Sequence, residues 1–511
     1  MNENLNVFKH PKKELNNLLL PILIAALIGT VNGLIDTSFS GLLGANALSA
    51  VGILTPTYML LSSFGSGIGV GSNALMSRAI GKDNLEEANK IFNNTIFSVL
   101  AIGIILTILL IVFKKQILFL FGATGPIYPY AEGYSVMYYG TVIMLMQGIF
   151  ASIFRVELKG KVITYCNILT IVINFILNYV FMIIFGWGTF GIGLSTTLST
   201  LVVVLLMIGT LHFNKEWILD YSLKIRTIDF KIIKNILTIG IPSFIKSNVY
   251  TILNIVLNYL LLFVGGSEAV GIYSASWRLI QFGLVFMSAY GASLITICSM
   301  FFGKDDFKTI KELYLYALRN TLILGIVLVI IFNVFGSKLA LIVGSNNPTL
   351  CMQIGDSLKI LSLYLIVLPI SNYAGSVFIS IDKPNTSLMI SVIETLILEI
   401  FFMVLLVLLG FGVKGIYVGQ IIGIAVAGCI SLILLYKNFR EYIDIQERIE
   451  KIKEMNIDSH EKIEKLKEKR VQRHARIKSQ RALRHMKIRT RRDLLRENMN
   501  NYLERRRVSW R

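Results

Sequence analysis

The stretch from Gly44 to Thr124 recurs without a gap as the stretch from Gly266 to Asn346, at a constant offset of about 222 residues. Gly44, Ala47, Gly69, Gly81, Lys82, Asp83, Gly103, Ile104, Leu106, Phe113 and Gly122 each return as the same residue in the second copy. The junction GKDN at Gly81–Asn84 returns as GKDD at Gly303–Asp306, and GWGTFGIG from Gly186 matches GFGVKGIY from Gly410. A chain written twice folds as two equivalent halves. In membrane proteins, paired halves commonly enclose a path across the bilayer.

The 511 residues are 54% hydrophobic. Apolar runs with few charges recur from about residue 14 to 436, each long enough, at about 20 residues, to cross about 30 Å of hydrocarbon as a helix. Backbone groups find no water there, so helices are the default, and the alternating pattern of a barrel is absent. The expected fold class is an all-α membrane protein with twelve transmembrane helices in two pseudo-symmetric six-helix bundles. The spans fall near 14–39, 49–78, 89–113, 129–155, 162–186 and 190–213, then 235–264, 269–301, 309–335, 352–380, 386–410 and 414–436. The chain divides accordingly into a cytoplasmic N-terminus (1–13), a first lobe (14–213), a cytoplasmic linker (214–234), a second lobe (235–436) and a basic tail (437–511).

Basic residues set the orientation. Lys9, Lys12 and Lys13 precede the first span, and Arg78, Lys82, Lys90, Arg155, Lys159, Lys161, Lys304, Lys308, Lys311 and Lys383 flank alternate loops. The opposite loops hold Lys114, Lys115, Lys338 and Lys414. Both termini are therefore expected in the cytoplasm of a multi-pass cell-membrane protein. No cleavable signal peptide is expected, because the first apolar run continues into a full span.

An ionisable group inside a span is costly and usually meets a cavity or a partner. Asp36 lies in the first span, in NGLIDTSFSGLLG, with no basic residue near it in sequence. It reads either as a cation or proton site or as a residue hydrated from outside. The same position in the second copy is Asn258, so the charge is present only once. Asn174 and Asn178, four apart on one face of the fifth span, and Thr196 on the sixth offer amide and hydroxyl oxygens suited to a hard cation. Ordinary interhelical hydrogen bonding is the alternative. Glu394 and Glu399 lie five apart in the eleventh span, not on one stripe of an α-helix. They attract a cationic substrate or pair with Lys246 or Arg278. With Asn258 they are the candidate substrate-cavity residues. Gly65, Gly67, Gly69 and Gly71 form two interleaved GxxxG pairs for close helix packing, and Arg155 with Glu157 reads as an anchor. Pro21, Pro56, Pro242 and Pro369 lie inside spans, where proline favours a kink.

The tail from Lys437 carries 24 Lys and Arg against 12 Asp and Glu, which suits anionic lipid heads. No nucleic-acid-binding fold signature accompanies it. Cys166, Cys298, Cys351 and Cys429 match no metal or redox spacing. No nucleotide-binding GxxxxGK[ST] occurs, and no catalytic arrangement occupies a loop, so an enzyme is not expected.

From 14 to 436 the chain resembles the multidrug and toxic compound extrusion (MATE) family, bacterial and archaeal type. The likeness rests on DTSFSGLLGANALSAVGILTP (Asp36–Pro56), SRAIGKDNLEEAN (Ser77–Asn89) and NFILNYVFMIIFGWGTFGIGLSTTLST (Asn174–Thr200). In the second copy it rests on IGIPSF (Ile239–Phe244) and GKDDFKTIKE (Gly303–Glu312). The resemblance implies two six-helix bundles around a V-shaped cavity and export of organic cations and other amphipathic compounds in exchange for H+ or Na+ by alternating access. It implies that Asp36 carries the coupling ion, with Asn174 and Thr196 as companions and Pro21 in the part of the helix that bends. No cofactor beyond the coupling ion is implied. The partners are a small-molecule substrate and membrane lipids, and a monomer is expected. Two positions depart from the family. Asn178 stands where a second aspartate is frequent, and Glu394 where many members carry arginine. The rival reading is a flippase for lipid-linked saccharides, which requires Lys246, Arg278 and Arg319 to converge on the cavity.

Overall fold

The computed structural model describes residues 6–213, 217–219, 221, 228–343 and 348–454. All regular structure among them is helical. In chain order the main helical segments are α1 (Pro11–Leu42), α2 (Ala45–Gly81), α3 (Leu85–Val112), α4 (Gly125–Val156), α5 (Gly160–Ile184), α6 (Gly188–Phe213) and α7 (Phe230–Gly303). They continue as α8 (Phe307–Leu339), α9 (Pro348–Leu361), α10 (Tyr364–Ser380), α11 (Pro384–Leu408) and α12 (Gly412–Glu454). Among the described residues nine segments are long and apolar enough to cross a membrane, or ten if α9 and α10, bent by 41°, form one span. The expected count of twelve stays an expectation. The chain divides into two compact units, Met1–Phe439 and Arg440–Arg511. The expected tail lies outside the described residues from 455 onward, and α12 runs on past the expected boundary at 436.

α7 counts once in that tally but breaks at Gly266, where φ is 68° and ψ −169°. The chain turns back there. Ile236, near the start of α7, and Gly303, at its end, both pack on the last third of α2. The partner of Gly266 in the first copy is Gly44, which separates α1 from α2 at φ 104°. Only glycine occupies that region without strain, so the repeated residue marks a repeated turn. The GKD junctions behave alike. Asp83 and Asp305 adopt φ of 59° and 60°. Asn84 and Asp306 then cap α3 and α8, accepting from the backbone N–H of Glu87 and Thr309 at 3.0 Å each.

The four glycines of α2 serve two neighbours. A Cβ at Gly65 would lie 2.8 Å from Leu145 of α4, and one at Gly69 2.5 Å from the Ser152 hydroxyl. A Cβ at Gly67 would lie 2.8 Å from the carbonyl of Gly240 on α7, and Gly71 meets the Ile236 carbonyl. Residues four apart share a helix face and residues two apart do not, so the interleaved pairs pack α2 on both copies at once. Farther along, Gly81 and Gly303 meet backbone to backbone. Beside them Arg78 donates to the carbonyls of Ser380 (3.0 Å) and Ile379 (2.5 Å) and to Asp382 (2.6 Å), at the end of α10. Together these contacts hold the two copies closed at the end that carries the GKD junctions. Pro21 lies inside an uninterrupted α1, its carbonyl accepting from Thr164 at 2.7 Å.

Arg155 and Glu157 do form an anchor. Arg155 donates to Ser152, while Glu157, 3% exposed, accepts from the N–H of Ile218 (2.7 Å), the N–H of Leu219 (3.1 Å) and the Tyr221 hydroxyl. Burial pushes the Glu157 carboxyl up from its ordinary value, and those three donors pull it partly back. These contacts pin the linker to the first copy. Glu157→Ala leaves two backbone donors without their acceptor. It is expected to lower stability by about 1–3 kcal/mol, read as a lower unfolding midpoint of the purified protein.

Candidate functional site

The structure joins the four residues expected around the coupling ion. α1 supplies Asp36, α5 supplies Asn174 and Asn178, and α6 supplies Thr196. Asn178 Nδ2 donates to Asp36 Oδ1 at 3.0 Å, and Thr196 Oγ1 donates to Asp36 Oδ2 at 2.9 Å. Asn178 also donates to Asn174 Oδ1 at 3.0 Å, and Asn174 Nδ2 approaches Thr196 Oγ1 at 3.3 Å. Asp36 is 5% exposed, Thr196 2%, and both asparagines are fully buried. The reading of Asp36 as a residue hydrated from outside therefore fails in this arrangement. Tyr134 of α4 is a fifth member that sequence reasoning missed, its hydroxyl directed at Asp36 Oδ2 over 3.4 Å.

The chemistry of this group is that of one carboxylate held by neutral donors. No ion pair to Asp36 forms among the described residues. Among the described residues the protein therefore supplies no opposite charge to Asp36. Asn178 Oδ1 is buried with no hydrogen-bond donor. It stands at the position where a second aspartate is frequent in the resembled family. α5 changes from α to π geometry over Tyr179–Ile184, directly after Asn178. Such turns commonly mark functional sites, because the wider turn re-aims neighbouring side chains.

The second copy carries a different group. Ile393–Glu399 of α11 is a π turn, which closes i to i+5. Glu394 and Glu399 are therefore one turn apart on one face, which corrects the expectation from α-helical spacing. They are 6% and 0% exposed. Glu394 has Lys246 and Ser371 beside it, and Lys246 Nζ lies 3.4 Å from the Ser387 hydroxyl. Lys246 stands near Glu394 without closing an ion pair among the described residues, and Arg278 is exposed. Asn258 is exposed and joins neither buried group, so its position as counterpart of Asp36 does not make it part of a second such site. Arg319 is also exposed and lies over the ring of Tyr316. Lys246, by contrast, is half-buried beside Glu394, so the three basic residues do not share one environment.

Around Glu399 aromatic rings accumulate. Trp277 stacks on Tyr250 (centroids 5.5 Å apart) and Tyr273 (5.7 Å), Tyr273 stacks on Tyr417 (5.9 Å), and Tyr364 meets Trp277 edge-on at 5.0 Å.

A family model described as MatE matches residues 21–180 and 242–405, once in each copy and together more than half of the chain. Over 317 residues the chain is 25% identical to the multidrug export protein MepA of Staphylococcus saprophyticus, spanning 61% of this chain and 69% of that protein. Over 273 residues it is 25% identical to MepA of Staphylococcus aureus, spanning 53% of this chain and 60% of that protein. Among solved structures, a MATE in the bent conformation superposes with a TM-score of 0.81 at 23% identity, over 85% of this chain and 96% of that one. That last likeness is one of fold.

Proposed function

The chain belongs to the MatE family of multi-pass membrane transporters, and from that premise we propose that it is an efflux transporter exchanging organic cations or other amphipathic compounds for H+ or Na+ by alternating access. The buried Asp36, bonded to Asn178 and Thr196 and lacking a basic partner, is the observation that supports this reading most directly. Asp36 carries the coupling ion, and Asn174, Asn178, Thr196 and Tyr134 form its shell. The closed contact at the GKD end is one terminal state of the cycle. With both termini in the cytoplasm, that state has its cytoplasmic side shut. Coupling follows because ion and substrate favour different states of one two-state machine.

The test is uptake of a fluorescent organic cation into proteoliposomes under a sodium gradient and a proton gradient applied separately. Transport that follows one gradient identifies the ion. Equal transport under both, and in their absence, overturns the exchange reading.

A further inference from the structure

Residues 6–16 of the first copy lie against the second copy, at the end that carries the GKD junctions. Pro11 opens α1, where its missing N–H costs nothing, and sets off a short helix, Asn6–Lys9, ahead of it. Phe8 meets Phe301 of α7 edge-on with ring centroids 5.5 Å apart, and Lys304 Nζ stands 3.5 Å from the centre of the Phe8 ring. Lys12 and Asn16, four apart on one face of α1, turn toward α8. Lys12 Nζ lies 3.3 Å from the Glu312 carboxylate, and Asn16 Nδ2 donates to the Tyr316 hydroxyl at 2.7 Å.

The residues that reach across are repeated, but the contacts are not. Phe8, Lys9 and Lys12 return as Phe230, Lys231 and Lys234, at the same offset of about 222 residues. The positions that receive them do not return: Ala79 stands for Phe301, Lys90 for Glu312 and Asn94 for Tyr316. Phe230 is accordingly 82% exposed, and Lys234 forms no ion pair among the described residues. The start of α7 is tied to the first copy by other means, the linker and the Asp229 N–H, which donates to Asn94 Oδ1 at 2.7 Å. At the start of α1 side chains alone make the connection. They grip lightly. Lys12 and Glu312 are 51% and 53% exposed, so water competes for both charges. Lys304, over the Phe8 ring, is exposed as well, and an exposed contact of that kind changes an equilibrium only a few-fold.

We propose that residues 6–16 form a releasable latch on the closed end, built on one side of the molecule only. Arg78 and the paired glycines hold that end from within. The latch holds it from the surface, where water replaces its contacts each time the two copies part. It therefore sets how often that end opens without touching the coupling ion. This goes beyond the exchange reading built on Asp36 and stands whichever ion Asp36 takes.

Charge reversal tests it. Spin labels at Lys161→Cys on the first copy and Asn385→Cys on the second, both exposed and outside the latch, report the separation in reconstituted protein whose four native cysteines are replaced. Lys12→Glu sets like charges against Glu312. It is expected to shift the ratio of open to closed molecules about three- to tenfold toward open, and less at high salt. Glu312→Lys alone should do the same, and the two together should restore the parent distribution. Phe8→Leu keeps the apolar bulk but takes the ring from Phe301 and Lys304, and should shift the ratio about two- to fivefold. Lys9→Glu makes the same charge change on an exposed neighbour and should leave the ratio in place. Equal shifts in Lys9→Glu and Lys12→Glu, a double reversal that fails to restore the parent, or one distribution in every variant would overturn the proposal. Failure of ion-driven uptake would instead count against the exchange reading and leave this one standing.

Discussion

Asp36→Asn is expected to abolish ion-driven transport while leaving the protein folded. Asparagine matches aspartate in shape and still accepts from Thr196, so the α1, α5 and α6 packing survives. What it lacks is the ability to take up a proton or to neutralise a cation. A coupling free energy is typically about 1–3 kcal/mol, an about five- to 150-fold effect of the bound ion on substrate affinity, and it is lost with the carboxylate. Residual flux should run at the same rate with or without the gradient. The measurement is initial uptake of a fluorescent organic cation in proteoliposomes, with the unfolding midpoint as the control for folding. Undiminished, still gradient-dependent flux would move the coupling site away from Asp36. The second copy already carries asparagine at the equivalent position, Asn258, and there the residue is exposed. The carboxylate is thus the element that distinguishes the two copies at this position.

Arg78→Ala should open the closed end. The side chain is 8% exposed and donates to Ile379, Ser380 and Asp382 across the junction between the copies. Hydrogen bonds to a charged group contribute about 1.5–3 kcal/mol each. The Asp382 part counts for less, because that carboxylate is 64% exposed and screened. A net loss of about 3 kcal/mol shifts the ratio of closed to open molecules roughly 100-fold. Spin labels at Lys82→Cys and Lys308→Cys, in a protein lacking Cys166, Cys298, Cys351 and Cys429, report the separation by pulsed electron resonance. A longer distance should dominate in Arg78→Ala and be minor in its parent. Unchanged distributions would mean that the glycine contacts hold the end shut without Arg78.

Much of this was legible in the sequence, for separable physical reasons. Gly44 and Gly266, and Asp83 and Asp305, repeat because a left-handed backbone restricts residue type, so turns leave residue-level traces. Asp36, Asn178 and Thr196 stood out because a polar group in an apolar span has to be compensated. Tyr134 left no trace, since a tyrosine in a helix interface is unremarked until its hydroxyl finds Asp36. Arg78 read as one more positive loop residue, for two of its acceptors are backbone carbonyls some 300 residues away. The kinship of Glu394 and Glu399 was hidden by the assumption of α-helical spacing, because a π turn obeys a different period. Asn258 shows the converse. Equivalent positions in a repeat share a place on the helix but not an environment.

The pinned linker has a mechanical consequence. Ile218, Leu219 and Tyr221 are fastened to Glu157, and the N–H of Asp229 is fastened to Asn94 Oδ1 at 2.7 Å. Asp229 in turn caps α7 by accepting from Lys231 at 2.7 Å. One point of the connection is therefore held to the first copy immediately before the start of α7. A body held at one point keeps its rotations and gives up its translations. Relative movement of the halves is then expected to be a swing about the start of α7, with displacements that grow with distance from it.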